Sequence, residues 1–433
     1  MIGSAKQPVK RYFSEQRAEG GGIEPQWLMG RSPVWQTVSS THWQHPPDTN
    51  LPIIRYIFDC PATVRLITLL LVHFQVAFRT EKEYVACRIR GVPMKAVRIH
   101  QFGGPEVLSY EDVPDPKPRK DQVLIRVRAC AMNHLDLFVR KGLPGVNLPH
   151  ILGSDIAGEV VEIGEYVTRF KTGQRVLVAP LHFCNQCVKC VAGLQNQCRE
   201  FTVIGNAVDG GNCELIAVPA VRVIPIPDSL DFNQAASVPL VFLTAWHMLT
   251  GRAAIRPGQT VLILGANSGV GIAAIQIAKM FQARVITTAG DDRKIEAARE
   301  LGADYVINHY HQKISQEVRK ITNFEGVDIV LEHVGAATWD ESVKSLKAAG
   351  TLVTCGATTG PKAEIDLRFL FSRQLSLLGS YMGTMSELYE VLGHVFSGRL
   401  KPVIDHIFPL KDIRIAHEYL EKSQMIGKIV LVP

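Results

Sequence analysis

Alternation of apolar and polar positions begins abruptly at Met94. Met94-Lys95-Ala96-Val97-Arg98-Ile99 has the period-two pattern of a half-buried strand. Val123 to Ala129 repeats it after a loop marked by Pro114, Pro116 and Pro118. Between 151 and 180, glycines at 153, 158, 164 and 173 punctuate short Val/Ile runs, which predicts a compact β-rich domain. From about 258 the pattern changes. Strand-like runs at 260–264, 284–288, 327–331, 351–354 and 375–378 alternate with helical periodicity over 270–281, 292–301 and 339–348. Such alternation predicts a parallel, doubly wound sheet, so the chain reads as α/β with a β-rich domain beside that sheet. Near 384 the pattern returns to a helix and short strands, closing on Gly427-Lys428-Ile429-Val430-Leu431-Val432.

Residues 1–93 follow neither period. They hold Gly20-Gly21-Gly22 and three of the five tryptophans. Their one apolar stretch, Leu66 to Phe78, is 13 residues long and is interrupted by His73 and Gln75. A membrane span needs about 20 residues, and a secretory signal would sit nearer the start. This segment is read as an extension outside the folded domains, so neither a membrane nor a secretory role is expected. A cytoplasmic protein follows from that.

Composition narrows the classes further. With 433 residues, 46% apolar and 20% charged, the chain is long enough for two or three domains and too apolar to be disordered. A net charge of +6 over that length, with no basic stripe, gives no argument for nucleic-acid binding. Nine cysteines, four of them within 184–198, point away from a disulfide framework and toward a metal site in a reducing compartment.

The strongest local signal for a ligand follows the run Val261-Leu262-Ile263-Leu264. Gly265-Ala266-Asn267-Ser268-Gly269-Val270-Gly271 comes directly after it and opens a helical pattern, with another strand about 15 residues on. Glycines there let the backbone approach a pyrophosphate, and the helix start supplies N–H donors and positive dipole. Dinucleotide binding is therefore expected at Gly265, Ala266, Ser268, Gly269, Val270 and Gly271. An NAD site usually places an acid at the tip of the second strand, but that strand ends Thr287-Thr288-Ala289-Gly290. Small residues leave room for a 2′-phosphate, and Arg293 and Lys294 can pair with it, so NADPH is expected over NADH. Asp291 and Asp292 argue the other way unless they cap the next helix.

Cys184-x2-Cys187-x2-Cys190-x7-Cys198 suits tetrahedral zinc. The last gap departs from ferredoxin spacing. Four thiolates leave no open position, so this zinc is expected to be structural.

Together these pieces resemble the medium-chain dehydrogenase/reductase superfamily, the group of zinc-binding alcohol dehydrogenases and quinone oxidoreductases. The resemblance covers about 94–433. Gly153-x-Asp155-x-x-Gly158-x-Val160, with Gly164 and Gly173-Gln174-Arg175-Val176, is similar to the family's amino-terminal signature. The four cysteines match its structural-zinc lobe, and Leu301-Gly302-Ala303-Asp304 also follows its pattern. The match implies a GroES-like catalytic domain (94–230 and 384–433, with a zinc lobe at about 182–200) around a Rossmann domain at 231–383. The active site would lie in the cleft between them.

The departures from the family are as informative as the match. The resemblance puts the three catalytic-zinc ligands at Asn133, Ser154 and near Leu240, and none of these side chains is a good zinc ligand. The Asn133-x-x-Asp136 arrangement is similar to the branch that works without catalytic zinc. Without a Lewis acid, hydride transfer to a quinone or an α,β-unsaturated carbonyl is the expected reaction. Asn133 is expected as a donor to the substrate oxygen, Asp136 as its orienter, His134 as a proton source and Ser154 as a further donor. Asp155 is expected to be structural, in a salt bridge. Thr244, His333-Val334-Gly335 and Gly356-Ala357 are expected along the nicotinamide half of the cofactor, with Phe242, Trp246 and Tyr381 walling the acceptor pocket. Cys130, Cys213 and Cys355 are expected in the core. A small-molecule acceptor is the expected partner, with a second copy paired along the 375–378 edge strand. Two other readings stay open: a zinc-dependent alcohol dehydrogenase with a second metal, and an NADPH-binding sensor without turnover.

Overall fold

The computed structural model describes residues 93–433. The expectations for the amino-terminal extension, including its apolar stretch, lie outside the described residues. Ten strands come first: β1 (Met94–Ile99), β2 (Leu108–Val113), β3 (Gln122–Ala131), β4 (His150–Ile151), β5 (Asp155–Ile163), β6 (Arg175–Val178), β7 (Leu181–His182), β8 (Thr202–Val203), β9 (Leu215–Pro219) and β10 (Val223–Pro225). Six more form the second sheet: β11 (Thr260–Ile263), β12 (Arg284–Ala289), β13 (Tyr305–Asn308), β14 (Val327–Glu332), β15 (Leu346–Thr354) and β16 (Ser376–Gly379). The chain closes with β17 (Ile404–Pro409) and β18 (Lys428–Val432).

The first large sheet has the order β10-β6-β5-β3-β18-β17, with β9 also on β3, while β2-β1-β4 and β7-β8 form small sheets of their own. Its register decides what meets at its end. Ala131 of β3 lies opposite Asp155 of β5 on one side and opposite Val430 of β18 on the other. Asn133 follows two residues beyond Ala131, and Lys428 lies two before Val430. An antiparallel ladder therefore brings Asn133, Asp155 and Lys428 to one edge. The late strand β18 thus lies inside a sheet whose other strands, β17 apart, come from residues 122–225.

The second sheet is parallel throughout, in the order β13-β12-β11-β14-β15-β16. The chain runs outward from β11 through β13, then crosses back to β14. The carboxyl ends of β11 and β14 are therefore the topological switch point, where ligands bind in such sheets. The alternation of strands and helices predicted this sheet, with β16 at its edge. Three elements of this part were not anticipated: β13, the helix Ile314–Ile321 and the short helix Leu367–Ser372. The signals of the first two are short, a four-residue strand and three apolar positions at Ile314, Val318 and Ile321. The helix expected over 339–348 stops at Ser345 because Leu346 already pairs with Val327 in the sheet.

The helix Pro239–Trp246 joins the two sheets' surroundings. It is almost wholly buried and packs against the helices Gly269–Met280 and Met385–Phe396. Among the described residues no helix is long and apolar enough to cross a membrane.

Candidate active site

The glycine-rich loop has the geometry its sequence requires. Gly265 sits at φ +66°, a conformation that favours glycine, and a Cβ at Gly271 would lie 2.2 Å from the Gly265 carbonyl oxygen. Ser268 caps the helix Gly269–Met280. Its hydroxyl accepts from Gly271 N at 2.9 Å and donates to Gly265 O at 2.9 Å. Thr288 Oγ1 accepts from Gly265 N, and Ala266 N donates to Thr288 O, so β12 holds the loop against β11. Asn267 fastens it to the last strand: its side chain donates to Met425 O, and its carbonyl accepts from Gly427 N, both at 2.9 Å.

A second loop follows β14, organised by a residue that no sequence motif marks. Glu332 is fully buried, and its carboxylate accepts from Val334 N, Gly335 N, Thr338 Oγ1 and Ser342 Oγ at 2.6–3.0 Å. His333 Nε2 lies 2.7 Å from Leu264 O and 3.4 Å from Ser268 Oγ, which brings the two loops together.

The edge where Asn133, Asp155 and Lys428 meet is a closed hydrogen-bonded cluster. Lys428 Nζ donates to Asn133 Oδ1 at 2.6 Å and pairs with Asp155 Oδ2 at 3.0 Å. Asn133 Nδ2 donates to Asp155 Oδ2 at 3.0 Å and reaches Ala131 O at 3.4 Å. Asp155 Oδ1 accepts Leu240 N at 2.8 Å, at the start of the helix Pro239–Trp246, where the dipole favours an anion. The expected salt bridge of Asp155 is thus present, and its partner is Lys428, which carries no motif of its own. Asn133, read as a donor to substrate, instead has its amide engaged within the chain.

Asp136 supports this cluster from below. Its carboxylate accepts Asn133 N at 2.7 Å and Gly153 N at 3.0 Å, closing a capping box on the helix His134–Gly142. Burial raises its carboxyl from 3.8 to about 6, against these hydrogen bonds and the Lys428 charge. Burial also lowers His134 from 6.5 to about 4, helped by His333 and Lys428 nearby, so its ring is neutral at pH 7. Such a ring can relay a proton but does not store one as imidazolium. Ser154 is fully buried, with a hydroxyl that finds no partner among the described residues, and it is not part of the cleft lining.

Between cluster and loops lies a cleft of about 560 Å³. Asn133, His134, Thr244, Ser268, Gly269, Val270, His333, Val334, Gly356 and Lys428 line it, with Leu135, Leu240, Tyr381 and Met382. Gly265, Ala266, Gly271, Gly335 and Ala357 are not part of this lining; Gly335 and Ala357 line a neighbouring pocket of about 700 Å³ with Cys355, Gly356 and Tyr381. Arg293 and Lys294 are outside it. Arg293 donates to Gln424 O, and Lys294 to Ser423 O at 3.0 Å, with Asp291 at 3.3 Å. His309 and Tyr310 line the cleft instead, and Tyr310 packs so close to Gly290 that a Cβ there would lie 2.6 Å away.

Two aromatic expectations are corrected. Phe242 is core, and Trp246 turns away to donate to Glu390 at 3.2 Å and pack on Phe281, because its helix buries that face. Tyr381 does wall the cleft. Cys355 also lines it, whereas Cys130 and Cys213 are buried as expected.

The Cys184, Cys187, Cys190 and Cys198 sulfurs all lie within 4.8 Å of one another. Two of the separations are 3.5 and 3.8 Å. Zn–S bonds of about 2.3 Å in a tetrahedron put sulfurs about 3.8 Å apart, so the four thiols fit zinc. Among the described residues no other group of three or more His, Cys, Asp or Glu has metal-binding geometry.

Residues 119–228 match the family described as alcohol dehydrogenase GroES-like domain, and residues 269–397 match zinc-binding dehydrogenase. The chain is similar to a quinone oxidoreductase of Pseudomonas aeruginosa, 33% identical over 352 residues, covering 78% of this chain and 99% of the relative. It is also similar to an acryloyl-coenzyme A reductase of Sulfurisphaera tokodaii, 31% identical over 343 residues, covering 78% of this chain and 100% of the relative. Among solved structures, an NAD-dependent alcohol dehydrogenase superposes with a TM-score of 0.76 at 41% identity, covering 78% of this chain and 100% of that one.

Proposed function

The chain belongs to the medium-chain dehydrogenase/reductase superfamily, with a GroES-like domain and a Rossmann sheet, and on that premise we propose that it reduces a quinone or an α,β-unsaturated carbonyl with NADPH and without a catalytic zinc. One observation carries this reading. The side chains at the expected catalytic-metal positions, Asn133, Ser154 and Leu240, offer no thiolate, imidazole or carboxylate, and the Lys428 ammonium is held against Asn133 and Asp155. A cation at that point repels a divalent ion, and the residues there do not fit one. The four-cysteine lobe is where we place a single, structural zinc.

Bound in the cleft, the dinucleotide supplies a hydride. The chain's own part is to bind and orient. The Gly265–Gly271 loop and the start of the helix Gly269–Met280 present N–H groups to the pyrophosphate. Thr244, His333, Val334 and Gly356 would flank the nicotinamide half, with Gly335 and Ala357 in the adjoining turns. Small residues at the tip of β12, with no acid, favour the 2′-phosphate, and His309 and Tyr310, not Arg293 and Lys294, belong to the cleft lining. Asp136 fixes the backbone at Asn133 and Gly153. His134, neutral in the cleft wall, can relay a proton from solvent. Leu240, Leu135 and Met382 exclude water from the reacting atoms. We place a dimer contact along the edge strand β16.

The test is cofactor oxidation with a panel of acceptors. Benzoquinones and enones are expected to drive oxidation of NADPH faster than of NADH, and simple alcohols to give no reduction of NADP+ or NAD+. Alcohol-dependent reduction abolished by a chelator would instead support the zinc alcohol dehydrogenase reading. That reading has the alcohol dehydrogenase likeness in its favour.

A further inference from the structure

Among the described residues that line the cleft there is one lysine and no Arg, Asp or Glu, and that lysine is Lys428. Three histidines share the wall. Burial lowers all three, His134 to about 4, which leaves them neutral at pH 7. Lys428 is therefore the single formally charged residue in the cleft lining.

Its position is tightly determined. Two of its N–H bonds go to Asn133 Oδ1 and Asp155 Oδ2, and the third has no acceptor among the described residues. Asn133 and Asp155 are themselves held, by Ala131 O and by Leu240 N. The side chain is almost wholly buried, with its stem against the first turn of the helix that opens at Gly269. A donor fixed in this way, in a site shielded from water, needs no reorganisation when charge develops beside it.

We propose that Lys428 is a catalytic residue whose free N–H donates to the acceptor's carbonyl oxygen, the role a metal plays in zinc-bearing relatives. This rests on the reading of the chain as a metal-free reductase of conjugated acceptors. The step balances. A hydride adds to the conjugated carbon with its two electrons, the C=C π pair moves to form the enolate double bond, and the C=O π pair becomes a lone pair on oxygen. That oxyanion is hydrogen-bonded to the ammonium, and a proton from solvent completes the reduced product. The nicotinamide is oxidised and the acceptor reduced by the same two electrons.

The experiment compares full-length wild type with Lys428→Met and Lys428→Arg. It measures kcat with a benzoquinone and an enone, and the dissociation constant of NADPH separately by fluorescence. Lys428→Met is expected to lower kcat about 100-fold, with the NADPH constant shifted less than about 3-fold, and Lys428→Arg to recover part of the loss. Because Lys428→Met leaves Asp155 unpaired, the double variant Lys428→Met/Asp155→Asn is measured alongside and is expected to show the same loss while melting close to wild type. Unchanged kcat in a folded variant overturns the assignment. So does NADPH affinity that falls in step with turnover, since the ammonium would then serve a cofactor phosphate. A wild type without turnover on any conjugated acceptor overturns the reading beneath it as well.

Discussion

Lys428 and Asn133 lie 295 positions apart in the chain, and their side chains meet at 2.6 Å. Breaking this cluster on the anionic side leaves a buried ammonium without its counter-ion. Asp155→Ala is expected to destabilise the protein by about 3–5 kcal/mol in urea unfolding, and Asp155→Ala/Lys428→Met by clearly less. Equal losses would show that the ion pair is not coupled. Titration of other buried groups sets the response to acid. His134 and His417 have folded values near 4 and 3 against an ordinary 6.5, both chiefly through burial. The unfolded chain takes up protons at these positions first, so the stability they confer above about 6.5 is lost as pH falls toward 4. Asp136, raised to about 6, acts oppositely: its contribution is present below about 4 and lost as pH rises through 6. The expected net result is a urea midpoint that falls between pH 6.5 and 4.5, and falls more steeply in Asp136→Asn. A flat profile in the variant would contradict the assignment. At this scale the sequence was half legible. Asn133, Asp136 and Asp155 were found through the family motif, because they sit at fixed spacing near one another. Lys428 was not, since it reads as the polar opening of a strand, and only the register of β18 against β3 gives it a role.

The elements around the cofactor loop were the most legible part of the chain. Gly265 to Gly271 carries its meaning locally: one glycine for a positive φ, another for close backbone approach, and a serine cap. Gly271→Ala is therefore expected to weaken NADPH binding at least about 10-fold with the zinc content unchanged, because its Cβ would lie 2.2 Å from Gly265 O. Isothermal titration with unaltered affinity would refute this. The loop after β14 was legible only as a place, not as a mechanism. A carboxylate at a strand's end looks like any polar terminus, yet Glu332 satisfies four donors inside the protein. Glu332→Ala is expected to lower stability by about 3 kcal/mol, and Glu332→Gln by less, in urea unfolding. The missed strand β13 and helix Ile314–Ile321 show a related limit. Short elements packed on the flank of a sheet take their stability from neighbours more than from their own pattern.

At the scale of the whole molecule, a strand from the far end of the chain completes the first sheet and carries its lysine to the mouth of the second. The cysteine lobe also reaches the cleft. Gln195 Oε1 accepts Met385 N, Asn196 Nδ2 donates to Tyr381 O, and Phe201 packs edge-on against the Tyr381 ring at 5.3 Å. A metal held there would fix one wall of the acceptor pocket without taking part in chemistry. The four cysteines were legible as a metal site because their spacing is local, whereas their link to Tyr381 depends on tertiary packing. Metal is thus expected to serve the fold and a lysine the reaction, and the zinc content of the purified full-length chain after exhaustive dialysis distinguishes this from a metal-dependent site. One zinc per chain, lost in Cys190→Ser, is the expected result. Two per chain, with one surviving that substitution, would contradict it by placing a metal where Lys428 stands.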